Sequence, residues 1–267
     1  MIPLRKNRLK IHERKDNVAR VEKTNREIEI LQKLRNCENI VRVCGFSLDD
    51  RDVRIFMEKM EISLANLIDM FRFSYAMGKF YESCETFRSL AFSCLDALSY
   101  CSRVGIVHND IKADNILLDD HGQFKLSDFG ESRYIKVVGK LPRNDIFEKQ
   151  DLIDLIMTLL QIFYEVNPFE YIFERNDIVQ YRNFLTTVDP ETLLKPIINE
   201  IDLRQNEGEW DIIERIVRKF LDIICTPAPL ASKIYDDLVE ILEEEDVYRE
   251  YPLRFNMDYM KMKQILI

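Results

Sequence analysis

The chain has 267 residues, 46% hydrophobic and 32% charged, which suits one large domain or two packed lobes and excludes a disordered polypeptide. Only 7 Gly and 8 Pro occur, which argues against long flexible linkers and turn-rich all-β folds. The net charge of −9 divides into +6 over residues 1–35 and −15 over the remainder, so no nucleic acid partner is expected.

No apolar run reaches the roughly 18 residues of a membrane helix, so no membrane span is expected. Met1 to Lys10 is basic without an apolar segment and does not read as a secretory signal. The expected compartment is cytosol or nucleus. Six cysteines, at 37, 44, 84, 94, 101 and 225, form no C-x-x-C pair; buried free thiols are the expectation.

In chain order, residues 5–12 read as a short strand. Thr24 to Leu34 reads as a helix, with Ile28, Leu31 and Leu34 on one face and Thr24 with Glu27 as an S/T-x-x-E start signal. Ile40 to Phe46 and Val53 to Met57 read as two strands around a polar turn at 48–52. Phe87, Leu90, Ala91, Cys94, Leu95 and Leu98 follow the spacing of an amphipathic helix. Ile116 to Leu118 and Phe124 to Leu126 flank Asp119-Asp120-His121-Gly122 as a small hairpin. Asp151 to Phe163 is apolar nearly all round, as a central buried helix would be. Further helices are expected at 191–201, 210–224 and 230–244.

The chemistry concentrates between His108 and Gly130: His108-Asn109-Asp110-Ile111-Lys112-Ala113-Asp114-Asn115, an apolar strand, a hairpin, then Asp128-Phe129-Gly130. Phosphoryl transfer needs an acceptor for the nucleophile's proton, oxygen ligands for magnesium and a cation for the moving charge. Asp110 suits the first role, Asn115 and Asp128 the second, and Lys112 the third. One carboxylate and one amide oxygen, completed by nucleotide phosphates and water, match the preferences of Mg2+.

This string resembles the catalytic loop and D-F-G segment of eukaryotic-type protein kinases, in the Ser/Thr branch because of Lys112. Ile-Lys-Ala-Asp-Asn-Ile-Leu-Leu and Gly-Gln-Phe-Lys-Leu-Ser-Asp-Phe-Gly look most like the kinases of the mitogen-activated cascades. The resemblance implies an α+β, protein-kinase-like two-lobe fold, with residues 1–60 as the small nucleotide-binding lobe and 61–267 as the large, mainly helical catalytic lobe. It implies ATP and Mg2+ as cofactors and a protein substrate or regulatory protein as partner.

Further along the resemblance, Arg26-Glu27-Ile28-Glu29-Ile30-Leu31 looks like the regulatory helix, with Glu27 placed to pair with the ATP-binding lysine; an exposed helical carboxylate is the alternative. Met57-Glu58-Lys59-Met60 looks like the hinge, with Met57 as gatekeeper and backbone groups of Glu58 and Met60 facing adenine. Leu117 falls where the family places a side chain beneath the ring, although a core leucine would look the same. Asp151 falls where the family supports the catalytic-loop backbone, or is a helix N-cap.

The pattern is incomplete in four places. No G-x-G-x-x-G precedes Lys10, so the expected small lobe is reduced, lacking the first two strands and the Gly-rich loop. Lys10 lies 17 residues before Glu27, a fitting place for the ATP-pairing lysine, but Arg8 stands where the family uses a small residue. Lys10 also reads as a solvated lysine in a basic run. Asn109 replaces the arginine of H-R-D, and the 24 residues from Asp128 to Asp151 hold no threonine and no A-P-E. Finally, residues 226–232 offer no arginine to pair with the missing glutamate.

ATP-dependent phosphorylation of Ser/Thr in a protein is the leading expectation. An inactive pseudokinase scaffold and a kinase-like enzyme with a non-protein substrate are the alternatives. Loop phosphorylation is not the expected switch, because Asn109 carries no charge and residues 131–150 offer only the hydroxyls of Ser132 and Tyr134. A partner docking on the reduced small lobe is expected instead.

Overall fold

A computed structural model describes residues 8–13, 18–48, 52–75, 81–135 and 146–160, together with the helical backbone of Arg215, Arg218, Lys219 and Asp236. Alternation builds its first sheet. Val53, Ile55 and Met57 are buried while Arg54 and Phe56 are partly exposed, the period of a half-buried strand. This strand, β3 (Asp52–Met57), is the centre of an antiparallel sheet. It lies between β1 (Arg8–Glu13) and β2 (Val43–Leu48), in the order β1-β3-β2. Lys10 stands opposite Ile55, and a bulge between Val43 and Gly45 adjusts β2 against Met57.

Helix α1 (Val18–Leu34) starts six residues before the position expected from the sequence. Thr24 and Glu27 are not its start signal. They lie inside the helix on a buried stripe with Leu31 and Leu34, and the spacing that mimics a capping box is that of an inward face. The strand expected from Ile40 begins only at Val43. Ile40 forms a parallel bridge with Leu126 and the Val41 amide donates to the Leu126 carbonyl at 2.9 Å, so this segment joins a different sheet.

That second sheet contains β4 (Ile62–Ser63), β6 (Ile116–Leu118) and β7 (Phe124–Leu126), in the order β4-β6-β7. Both hairpin strands match the expected bounds. Helix α2 (Leu64–Tyr75) follows β4 directly, and the Ser63 hydroxyl accepts from the Asn66 amide as an N-cap. Helix α3 (Tyr81–Arg103) carries the expected apolar positions and is buried nearly all round from Phe87 to Ser99. A short pair, β5 (Ile106–Val107) with β8 (Arg133–Tyr134), follows it along the chain.

Helix α4 (Ile146–Leu160) is buried on almost every side from Asp151 to Leu159, as its composition requires. One continuous core joins α1, β3, α2, α3, β6, β7 and α4. The helices expected at 191–201, 210–224 and 230–244 lie outside the described residues, apart from the four helical positions named above. Cys37, Cys94 and Cys101 are buried free thiols, as expected. Cys44 departs from that expectation because the outer face of the edge strand β2 leaves it exposed.

Phe124 is fully buried and Phe46 is 49% exposed. Urea unfolding is expected to show Phe124→Ala losing about 3–5 kcal/mol, whereas Phe46→Ser should stay within about 0.5 kcal/mol of the parent.

Candidate active site

The loop after β5 is built around one buried carboxylate. Asp151, on α4 and 3% exposed, accepts the His108 amide on Oδ2 and the Asn109 amide on Oδ1, both at 2.7 Å. It lies well inside α4, not at the N-cap. Charge-assisted bonds of this kind are roughly twice as strong as neutral ones, and they hold two successive amides of a turn in which Asn109 takes a left-handed φ of 64°. Asparagine tolerates that conformation better than most side chains.

His108 is fully buried. Its Nδ1 accepts the Asp110 amide at 3.2 Å and its Nε2 lies 3.0 Å from the Ser127 carbonyl, so the ring is neutral with its proton on Nε2. Burial lowers its pKa from 6.5 to about 4, partly offset by the bond to Ser127. The ring meets Phe129 edge-on at 4.6 Å. His108 therefore ties this turn to the segment preceding Phe129.

The side chains singled out for chemistry converge just beyond. Lys112 Nζ donates to both oxygens of Asp110, at 3.0 and 2.7 Å, and this pairing raises the lysine pKa above its usual value. Asn115 Nδ2 donates to the Asp110 carbonyl and to Asp110 Oδ2, both at 2.8 Å. With its amide hydrogens so used, Asn115 offers a carbonyl oxygen for a cation. The Asn115 backbone carbonyl accepts both the amide and the hydroxyl of Ser127 at 2.8 Å. The residue before Asp128 is thus fastened to Asn115. Asp128 adopts a left-handed φ of 63°, caps the 3-10 turn Phe129–Glu131 by accepting the Gly130 amide, and is partly exposed. One amide oxygen with one carboxylate is a donor set that suits a magnesium ion also held by phosphates.

The remaining expected positions divide. Glu27 is 1% exposed on the inner face of α1, which removes the reading as an exposed carboxylate. Its pairing with Lys10 lies outside the described side chains; the Lys10 backbone sits in β1. Met57 is buried at the end of β3, and Met60 packs partly against the core. Leu117 is buried in β6, opposite Ser63 and Lys125. The Glu58 amide donates to the Arg42 carbonyl, and its carboxylate accepts the Arg42 amide at 2.7 Å and Lys125 Nζ at 3.0 Å.

Lys125 also lies 3.6 Å from Asp119, whose other oxygen accepts the amides of His121 and Gln123. Gln123 in turn donates to Asn39, which donates to Asp96 on α3. This polar framework behind Glu58 was not legible in the sequence. Its only local signal is Lys125 standing within an otherwise apolar Phe-Lys-Leu strand. Ser127 and Ser132 were also missed as buried tethers; Ser132 Oγ donates to the His108 carbonyl at 3.0 Å, so it is not an accessible hydroxyl.

Because the folded His108 pKa lies below the unfolded value, its neutral form stabilises the fold above pH 6.5. That contribution is lost as pH falls from 6.5 through about 4. The gap corresponds to roughly 3 kcal/mol. Urea midpoints of the parent are expected to fall across this window, and His108→Gln should show a flatter dependence; equal slopes would contradict the assignment.

The family described as "Protein kinase domain" matches residues 6–149. A probable serine/threonine-protein kinase of Dictyostelium discoideum is 41% identical over 105 residues, covering 39% of this chain and 15% of the relative. A CTD kinase subunit alpha of Schizosaccharomyces pombe is 31% identical over 127 residues, 48% of this chain and 20% of the relative. A mitogen-activated protein kinase kinase kinase of Dictyostelium discoideum is 38% identical over 109 residues, 40% of this chain and 11% of the relative. The chain spans a fifth or less of the length of these relatives. With the family pattern matching more than half of its residues, the chain belongs to the protein kinase domain family and is related to the serine/threonine kinases of mitogen-activated cascades.

Proposed function

We propose that this chain transfers the γ-phosphoryl group of ATP to a serine or threonine hydroxyl of a protein. The observation that carries this reading is the Lys112–Asp110–Asn115 cluster, tied through Ser127 to the turn that bears Asp128. Asp110 orients the substrate hydroxyl and accepts its proton as the new O–P bond forms and the bond to the leaving ADP oxygen breaks. Lys112 stays protonated at neutral pH, since its pairing with Asp110 raises its pKa. It neutralises charge on the transferring group. Asn115 and Asp128 are the residues that would hold Mg2+, which when bound neutralises phosphate charge.

In the same reading the backbone of Glu58 and Met60 meets adenine, Leu117 lies beneath the ring, and Lys10 with Glu27 serves the phosphates. Residues 1–60 form the small lobe, reduced in that no G-x-G-x-x-G occurs in them, and 61–267 form the large lobe. The relative named as a probable serine/threonine-protein kinase supports the substrate class, as does Lys112.

Removing transition-state electrostatics typically costs on the order of 10²–10³ in rate. Lys112→Ala is therefore expected to lower kcat by that factor with little change in KM for ATP. Asp128→Asn should abolish transfer while leaving the urea midpoint unchanged. Steady-state kinetics with MgATP and a generic basic protein check both. A Lys112→Ala variant altered only in KM would reassign the lysine to ground-state binding. Thermal stabilisation by MgATP without transfer by the parent would replace catalysis with a regulatory, nucleotide-binding role.

A further inference from the structure

Helix α1 is attached to the start of the activation segment, the stretch after Gly130, at two separated points. Near its beginning Lys23 pairs with the carboxylate of Glu131. Near its end Lys33 Nζ lies 4.4 Å from the centre of the Tyr134 ring. Ten residues of helix span about 15 Å, so the two contacts set the orientation of α1 as well as its position. The helix also packs on the 3-10 turn Phe129–Glu131.

Glu131 has a second attachment. Its backbone carbonyl accepts Asn109 Nδ2 at 3.2 Å, and Asn109 is itself held by Asp151. A continuous chain of contacts thus runs from α4 through the catalytic loop and Glu131 to Lys23. Glu27 follows Lys23 by one helical turn on the same element and is buried, so placing Lys23 also places Glu27.

We propose that Glu131 is a built-in anion that docks α1 through Lys23 while Asn109 anchors its backbone, setting α1 without a phosphate on the activation segment. Asn109, Glu131 and Lys23 are positioning residues; the catalytic consequence rests on the function proposed above. Ser132, the residue after Glu131, is 2% exposed and its hydroxyl donates to the His108 carbonyl, so the Lys23–Glu131 contact stands beside a hydroxyl already engaged in the fold. Lys23 and Glu131 are 45% and 60% exposed in their side chains. A pair of that exposure biases an equilibrium by only about 1.5- to 5-fold. The Lys33–Tyr134 contact adds a comparable bias. The device therefore sets a population and weakens as salt rises.

The test is amide hydrogen exchange through residues 18–34 of the full chain, read beside phosphate transfer. Lys23→Glu and Glu131→Lys, which turn attraction into repulsion, should each speed exchange in α1 about threefold or more at low salt. The double exchange should return it to within about twofold of the parent. Phosphatase treatment of the parent should leave both exchange and transfer unchanged. Unaltered exchange in the single variants, failure of the double exchange to rescue, or a tenfold loss of transfer after phosphatase would overturn the proposal. A parent that transfers no phosphate but shows the rescue pattern in exchange would refute the catalytic reading alone.

Discussion

The arrangement of the site depends on the carboxylate of Asp151. A charge that is 3% exposed is costly to bury unless its oxygens are satisfied, and here the backbone amides of His108 and Asn109 do so. The stabilisation is mutual. Those two amides sit in a turn with no strand or helix ladder to pair them, and one of them belongs to a residue with left-handed backbone. Fixing this turn sends the His108 ring into the core. The ring then reaches the Ser127 carbonyl, and Asp110 projects toward Lys112 and Asn115.

A second framework, of charged and amide side chains, supports the strands around the site. Glu58, Lys125 and Asp119 form an ion-pair triad whose side chains are each less than a fifth exposed. It joins the end of β3 to the β6–β7 hairpin. Gln123, Asn39 and Asp96 extend the linkage to α3. Removing one partner of a buried pair leaves the other uncompensated, which costs more than the pair contributes. The triad thus ties the end of the first sheet's central strand to the second sheet. By contrast, the two ion contacts of α1 to the activation segment are exposed and weak, so they bias the orientation of a helix that its buried face holds in the core.

Legibility in the sequence followed the range of the interaction. β6 and β7 were readable to the residue because Ile116-Leu117-Leu118 on one side of Asp119-Asp120-His121-Gly122 and Phe124 with Leu126 on the other leave little alternative. The burial of α4 was readable because an apolar surface on every side admits one placement. The start of α1 was not, since Thr24 and Glu27 have the spacing of a cap and of an inward face alike. The cluster of Asp110, Lys112, Asn115 and Asp128 was legible as chemistry through resemblance to the kinases. The tethers were not legible. Asn39 and Asp96 are 57 residues apart, and nothing in their spacing announces that they meet. Ser127 and Ser132 read as ordinary loop hydroxyls because a hydrogen bond to a distant carbonyl leaves no periodicity.

The central claim is that the turn held by Asp151 presents Asp110 as the group that receives a substrate hydroxyl. Transfer of radiolabelled γ-phosphate from MgATP to a generic basic protein, followed by phosphoamino-acid analysis, tests it most directly when the parent is compared with Asp110→Asn. The account predicts label on serine and threonine with the parent and a loss of at least a hundredfold with the variant, at unchanged thermal stabilisation by MgATP. Equal labelling by the two proteins would contradict it.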